Sequence, residues 1–262
     1  MKRIANLIAC ALMGCMMFAG CEQEKKVVTY NDIYSEKPTT IYIAPLTDNM
    51  QRKFEKYPKD KVYNNELNVA SKYMWITAPT PLINHGYYVI GPVASEQIAA
   101  ETPLTAKELK KGNLKVLNTK YGIDAVLSMT IHRWMDRNGE WTAYVEYSMR
   151  STKTNMTLMH TYVKATKKVN TNLKGNPVPL KADQQFAEYL DVDNGSAQRA
   201  YLLQQLNDYV LRNIPISVTR RQFEEDMYKA ALPSYFTYVW NEDGQADVQP
   251  CSMEEYEQEA FL

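Results

Sequence analysis

Between Ala125 and Lys167 the chain alternates apolar and polar residues over three successive stretches, a period-two pattern that restricts its fold more than any other feature. Ala125, Leu127, Met129 and Ile131 alternate with Val126, Ser128, Thr130 and His132. After Asn138-Gly139, a dipeptide suited to a two-residue hairpin turn, Trp141, Ala143, Val145, Tyr147 and Met149 alternate with Thr142, Tyr144, Glu146, Ser148 and Arg150. A second turn near Thr152 to Asn155 leads to a third strand over Thr157 to Lys167. Three strands joined by short turns predict an antiparallel meander with one buried face.

The flanking sequence predicts helices and short strands around that meander. Thr40 to Pro45 reads as a strand ended by proline, and residues 47–63 as a polar loop. Asn65 can cap a helix carrying Leu67, Ala70 and Met74, stopped at Pro79 and Pro81. Asn84-His85-Gly86 makes a turn before a strand over Tyr87 to Ile90, and Ser95 opens a short helix through Glu101. Thr105 and Glu108 form a capping box for a helical stretch interrupted at Gly112-Asn113. Leu114, Leu117 and Tyr121 continue its apolar face to Gly122.

After the meander, residues 169–194 read as a polar insertion, Ala197 to Arg212 as an amphipathic helix, and Phe223, Met227, Ala230 and Ala231 as a last helix before Pro233. The order β-α-β-α-α-βββ-α-α predicts an α/β (α+β) domain over 40–235, a mixed sheet with helices packed on it. Residues 236–262 are expected to form an acidic tail outside it.

The N-terminus carries a different message. Lys2 and Arg3 precede an uncharged, mostly apolar run from Ile4 to Ala19, shorter than the roughly 20 residues that span a bilayer as a helix. That is the layout of an export signal, residues 1–20. Phe18-Ala19-Gly20-Cys21 resembles the bacterial lipobox, in which the Cys thiol receives a diacylglycerol and becomes the new N-terminus. The family pattern has Leu where Phe18 stands. Leu12-Met13-Gly14-Cys15 competes, but Met13 is bulky there, and Cys21 sits at the apolar-to-polar border before Glu22-Gln23-Glu24. The resemblance implies a mature chain held on a membrane through lipid on Cys21, with residues 22–39 as a polar tether. It also implies outer-membrane sorting, since Glu22 is not the Asp associated with inner-membrane retention; the motif selects no leaflet.

Composition narrows the partners. With 30 basic and 30 acidic residues in the whole chain, removal of Lys2 and Arg3 leaves a net charge of about −2. Such a balance offers no broad electrostatic footprint for nucleic acid. Of four cysteines, Cys10 and Cys15 fall in the signal and Cys21 is blocked by lipid, so Cys251 is left as a lone thiol.

Three segments carry a family resemblance: Ile41-Tyr42-Ile43-Ala44-Pro45-Leu46, Gly86-Tyr87-Tyr88-Val89-Ile90, and Tyr121-Gly122-Ile123-Asp124-Ala125-Val126-Leu127. Over about residues 40–235 the chain resembles the bacterial lipoproteins grouped as domain of unknown function 799, which include a neisserial surface-lipoprotein antigen. Family members carry Gly-Ala-Asp-Ala where this chain has Gly122-Ile123-Asp124-Ala125, and Gly-Pro where it has Leu232-Pro233-Ser234. The resemblance implies an α/β domain similar to the Tol-system N-terminal domain and to curli-secretion lipoproteins, with work in envelope assembly or secretion beside other envelope proteins.

No residue set specifies a reaction. His132 and His160 tempt as metal ligands, but in a meander the Trp141 strand lies between theirs, separating their backbones by about 10 Å. No Cys or closely spaced carboxylate completes a zinc set, so neither a metal nor another cofactor is expected. His85 belongs to a turn, and Asp124, at the head of a strand, is read as capping or contacting solvent rather than doing acid–base chemistry. Asp191-Val192-Asp193-Asn194-Gly195 begins like a calcium loop, but its glycine is one position early and Leu202 stands where a bidentate Glu is required. No phosphate loop, nucleophile elbow or His-Glu-x-x-His is present.

Trp134, Trp141, Tyr144 and Tyr162 give the meander more aromatics than one buried face uses, so these four are candidate partner anchors. The expected function is a non-enzymatic, lipid-anchored adaptor or scaffold in envelope assembly or transport. A glycan- or peptidoglycan-fragment binder is the alternative, and an envelope hydrolase comes third.

Overall fold

The computed structural model describes residues 30–48, 71–137, 140–168, 194–217, 232–240 and 246–261. Its centre is an eight-stranded mixed sheet. The strands are β1 (Thr40–Ile43), β2 (Thr47–Asp48), β3 (Tyr88–Val89), β4 (Ala125–Arg137), β5 (Glu140–Ser151), β6 (Thr157–Lys168), β7 (Tyr235–Trp240) and β8 (Ala246–Pro250). They lie in the order β3-β1-β4-β5-β6-β7-β8, with β2 pairing separately with β4. The expected antiparallel meander is β4-β5-β6, flanked by parallel β1 and β3 on one side and by parallel β7 on the other. Arg137 pairs with Glu140, so the strands close around Asn138-Gly139, which itself lies outside the described residues. The α/β class read from the element order is the observed one.

Helices cover both faces. They are α1 (Asn31–Glu36), α2 (71–77), α3 (Pro79–Asn84), α4 (Pro92–Glu101), α5 (Ala106–Lys111), α6 (Lys115–Tyr121), α7 (Asn194–Arg212) and α8 (Met253–Phe261). The main core lies on the face that carries Leu127, Met129, Val145, Tyr147 and Val163. Met74 of α2, Leu82 of α3, and Leu203, Leu206 and Val210 of α7 join that core. On the opposite face, Ile98, Leu109 and Leu117 from α4, α5 and α6, with Leu114 just before α6, bury Tyr42 and Val126.

Local signals explain most helix ends. Thr105 accepts from the Glu108 backbone N–H while the Glu108 carboxylate accepts from the Thr105 backbone, the reciprocal capping box expected at the start of α5. Gly122 ends α6 at φ +67, where a side chain would be strained. Pro79 and Pro81 do not abolish helix. The chain turns at Ala78 and restarts with Pro79 in the first turn, where a missing N–H leaves no intrahelical bond unmade. Pro92 likewise opens α4 three residues before the expected start at Ser95.

Four expectations need correction. Residues 30–39 do not belong to a tether. Tyr30 and Ile33, three apart and 5% and 4% exposed, put one side of α1 into the main core, a signal too short to register as periodicity. Residues 47–63 are not wholly loop, because Thr47 and Asp48 pair with β4. Residues 236–262 are not an acidic tail: β7 pairs with β6, β8 pairs with β7, and α8 packs Tyr256 and Ala260 into a third cluster with Tyr144. The meander has not one buried face but two, since β5 is buried at every position from Trp141 to Ser151.

The export signal and lipobox, the Asn65 cap, the 169–193 part of the insertion, the calcium-like Asp191 and Asp193, and the Phe223 to Ala231 helix fall outside the described residues. Among the described residues, no helix is long and apolar enough to cross a membrane.

Candidate functional site

The helix-covered second face holds a feature that composition and spacing did not foretell, a buried carboxylate shared by two histidines and a lysine. Glu146 lies midway along β5, between Thr130 of β4 and Tyr162 of β6 in the cross-strand register. His132 reaches it from β4 because the register slips between Ile131 and Arg133. That bulge makes His132 the extra residue and redirects its ring. His160 reaches it from β6, where it pairs with Ser148, the next residue of β5 on the same face as Glu146.

The distances are short. His132 Nε2 is 2.6 Å from Glu146 Oε2, and His160 Nε2 is 2.8 Å from Oε1. Lys110 Nζ, in the last turn of α5, donates to Oε2 at 2.6 Å. Burial works to raise the Glu146 carboxyl, its side chain being 3% exposed. The bonds from His132, His160 and Lys110 outweigh burial and hold it well below the usual carboxylate range. Removing one member of such a buried charge group leaves an uncompensated partner and costs about 3–5 kcal/mol.

Aromatic rings and α8 close the cluster over. Phe261 packs edge-on against His132 with ring centroids 4.9 Å apart. Tyr162 stacks on Tyr235 at 4.7 Å and 7°, and Tyr256 meets Tyr144 and Tyr162 at 5.3 and 5.1 Å. Burial, and then the Glu146 charge, push the Tyr256 and Tyr162 hydroxyls far above the ordinary tyrosine value. The lysine and one histidine reach outward: Lys110 is 35% and His160 39% exposed, while His132 is 3% exposed.

A second charge device secures the same layer. Buried Arg150 donates to the carbonyls of Glu108, Leu109, Gly112 and Asn155 at 2.9 to 3.3 Å. Its guanidinium thereby caps the C-terminal end of α5, where orphan carbonyls and the helix dipole favour a cation. The helix is thus held twice, by Lys110 on Glu146 and by its carbonyls on Arg150.

The chemistry open to the cluster is limited by its own bonding. The two imidazoles take opposite oxygens of one carboxylate, and Lys110 already occupies the Oε2 side. A metal would need the ligands to converge on one point about 2 Å from each, and no group of that kind occurs among the described residues. The arrangement is a shared, charge-assisted hydrogen-bond network.

The aromatic anchors expected from sequence fare differently. Trp141 is fully buried in the main core beside Trp240, and Tyr144 is fully buried beneath α8. Neither forms an exposed face, because both faces of β5 are covered. Tyr162 is half-buried and belongs to the aromatic layer over Glu146, and the side chain of Trp134 lies outside the described residues. His85 serves the turn, its Nδ1 2.7 Å from the Ile214 carbonyl. Asp124 caps the β1 start. Partial burial would raise its carboxyl, but Lys153 and the Thr39 and Thr40 N–H groups bring it down to about 2. Cys251 is half-buried after β8.

Reasoning from sequence missed Glu146. A signal for it existed, a lone carboxylate within a strand otherwise free of acids from Trp141 to Ser151, but only the cover of α5 and α8 turns that position into a buried one.

No protein-family model matches the chain, and no curated protein matches it. The resemblance to domain of unknown function 799 therefore rests on the three segments alone. Among solved structures, the lipoprotein GNA1162 from Neisseria meningitidis aligns at TM-score 0.39 and 16% identity, over 52% of this chain and 89% of that one. The hypothetical protein CT253 from Chlamydia trachomatis aligns at 0.35 and 12%, over 66% of this chain and 95% of that one. The PelC dodecamer from Paraburkholderia phytofirmans aligns at 0.27 and 12%, over 47% and 69%. At these scores the likeness carries no argument, and the fold class rests on the sheet and helices themselves.

Proposed function

We propose that the chain is a cell-envelope lipoprotein, anchored through lipid on Cys21 in the outer membrane, that works as a non-enzymatic adaptor or scaffold for envelope proteins. The observation that supports this reading is where the molecule spends and withholds its polar groups. The buried cluster around Glu146 is bonded internally and roofed by α8, while the β3 edge of the sheet is unpaired among the described residues. At that edge, the N–H groups of Tyr88 and Ile90 donate to the carbonyls of Thr39 and Ile41, which turns the N–H and C=O of Val89 outward. Tyr88 is 70% and Val93 83% exposed beside it. By contrast, the opposite edge, β8, carries Asp247 and Pro250, residues that discourage strand addition. An extended partner segment could therefore add to β3 through main-chain bonds, with Tyr88 as a side-chain anchor.

A photo-crosslinker at Tyr88 in the intact envelope should capture a discrete protein, and one at Asp247 should not. Repeated failure at Tyr88, or equal capture at both edges, overturns the adaptor reading. The half-buried His160 and Lys110 favour a glycan-binding alternative. That alternative would show instead as a thermal shift with peptidoglycan fragments that is lost in His160→Ala.

A further inference from the structure

We propose that the end of the sheet at which β1 and β4 begin rests on an anionic phospholipid surface. The fold gathers that end from distant parts of the chain. Ile41 pairs with Ala125 and Ala125 with Ser151, which places the start of β1, the start of β4 and the end of β5 in one rung. Glu36 at the end of α1 accepts from the Ser151 hydroxyl at 2.9 Å. The turn after Ser151 is tied to the junction of α5 and α6, since Asn155 Oδ1 accepts from the Leu114 backbone at 2.7 Å.

What this end shows to solvent is basic and apolar. Lys37, Lys111, Lys115 and Lys153 are exposed, and Val116 and Met156 stand beside them at 41% and 45% exposure. Of the four lysines, Lys153 pairs with Asp124 at 2.7 Å; the other three make no ion pair among the described residues. The acids nearby also make hydrogen bonds within the protein, although Glu108 stays exposed. Asp124 also holds Thr39 and Thr40, Glu36 holds Ser151, and Glu108 closes the α5 capping box. Four lysines against Asp124, Glu36 and Glu108 leave this end slightly positive, with three of the lysines unpaired among the described residues beside two exposed apolar side chains, the combination that seats proteins among acidic headgroups.

The anchor places that end within reach. Tyr30 is buried in the core, so only nine peptide steps separate Cys21 from the folded body, at most about 30 Å of extended chain. This part of the argument rests on the lipid-anchor reading, and the lysine surface does not. The lipid would hold the protein on the membrane; the lysines would set which end faces it.

The test uses the mature chain, residues 21–262, with Cys21→Ser, so that neither the apolar signal nor a lipid contributes and binding reports the protein surface alone. It should sediment with vesicles of mixed phosphatidylglycerol and phosphatidylcholine and not with phosphatidylcholine alone. Each lysine near an anionic leaflet strengthens binding about fivefold, so K111E with K115E should weaken it at least about 25-fold. Raising salt to about 0.5 M should have the same effect by screening. The control Lys72→Glu, on α2 away from this end, should leave binding unchanged. Equal sedimentation with both vesicle types, indifference to K111E/K115E, or an equal loss with Lys72→Glu overturns the proposal. None of these outcomes depends on whether Cys21 is lipidated, which fractionation of the native chain decides separately.

Discussion

At the scale of single residues, Glu146 is where this structure has most at stake. A carboxylate 3% exposed is tolerable only because three donors reach it, and each donor comes from a different element. Glu146→Gln keeps the shape but removes the charge and sets an amide N–H₂ against an imidazole donor. It should lower stability by about 3 kcal/mol, the low end for a broken buried pair, because Lys110 can turn to solvent. Urea denaturation at neutral pH measures this; a loss under about 1 kcal/mol would mean the network is decorative.

The sign of the pH dependence follows from the depressed carboxyl. Its contribution is complete above the unfolded value near pH 4.3 and is lost as pH falls below that. The wild type should therefore lose stability more steeply between about pH 5 and 3 than Glu146→Gln. Parallel curves would show that Glu146 is not the group responsible.

Among the elements, α8 changes the account of the molecule most. Its sequence is acidic, with Glu254, Glu255 and Glu257, and taken alone it reads as solvated tail. Yet Tyr256, 1% exposed, and Ala260 face the sheet on one side of a short amphipathic helix. Ser252 caps it by accepting from the Glu255 N–H at 3.1 Å, while the Glu255 carboxylate accepts from the Ser252 N–H at 3.0 Å. The Tyr256 hydroxyl has no hydrogen-bond partner among the described residues, so the ring contributes packing and the oxygen contributes a desolvation cost. Tyr256→Phe should then be neutral or stabilise by up to about 1 kcal/mol, whereas Tyr256→Ala should cost about 3–4 kcal/mol through the cavity it leaves. Thermal unfolding of the pair checks both; a clear loss in Tyr256→Phe would reveal a partner for the hydroxyl.

At the scale of the whole molecule, the proposed lipid anchor and the proposed lysine surface can be tested separately. Cys21→Ser should move the protein from the membrane to the soluble fraction after a wash at about 0.5 M salt, which screens the lysine end. Retention through that wash would sink the lipid anchor. With lipid on Cys21, a tether through residue 39 would allow a reach of about 60 Å from the membrane, whereas the buried Tyr30 would limit it to about 30 Å.

Local pattern alone determined the meander, the capping box at Thr105, the α6 stop at Gly122 and the α/β class, because alternation, capping and left-handed turns are properties of neighbouring residues. The edges of the domain were not legible in this way. Tyr30 with Ile33 and Tyr256 with Ala260 are pairs of apolar residues on helices too short to show a period. They count as core only once a sheet face exists to receive them. The same holds for the site. His132, Glu146 and His160 lie on three strands, and register, one bulge and the helices above the sheet bring them together. Burial and convergence are relations between distant segments, so tertiary structure alone decided that Trp141 and Tyr144 are core and that Glu146 holds the centre.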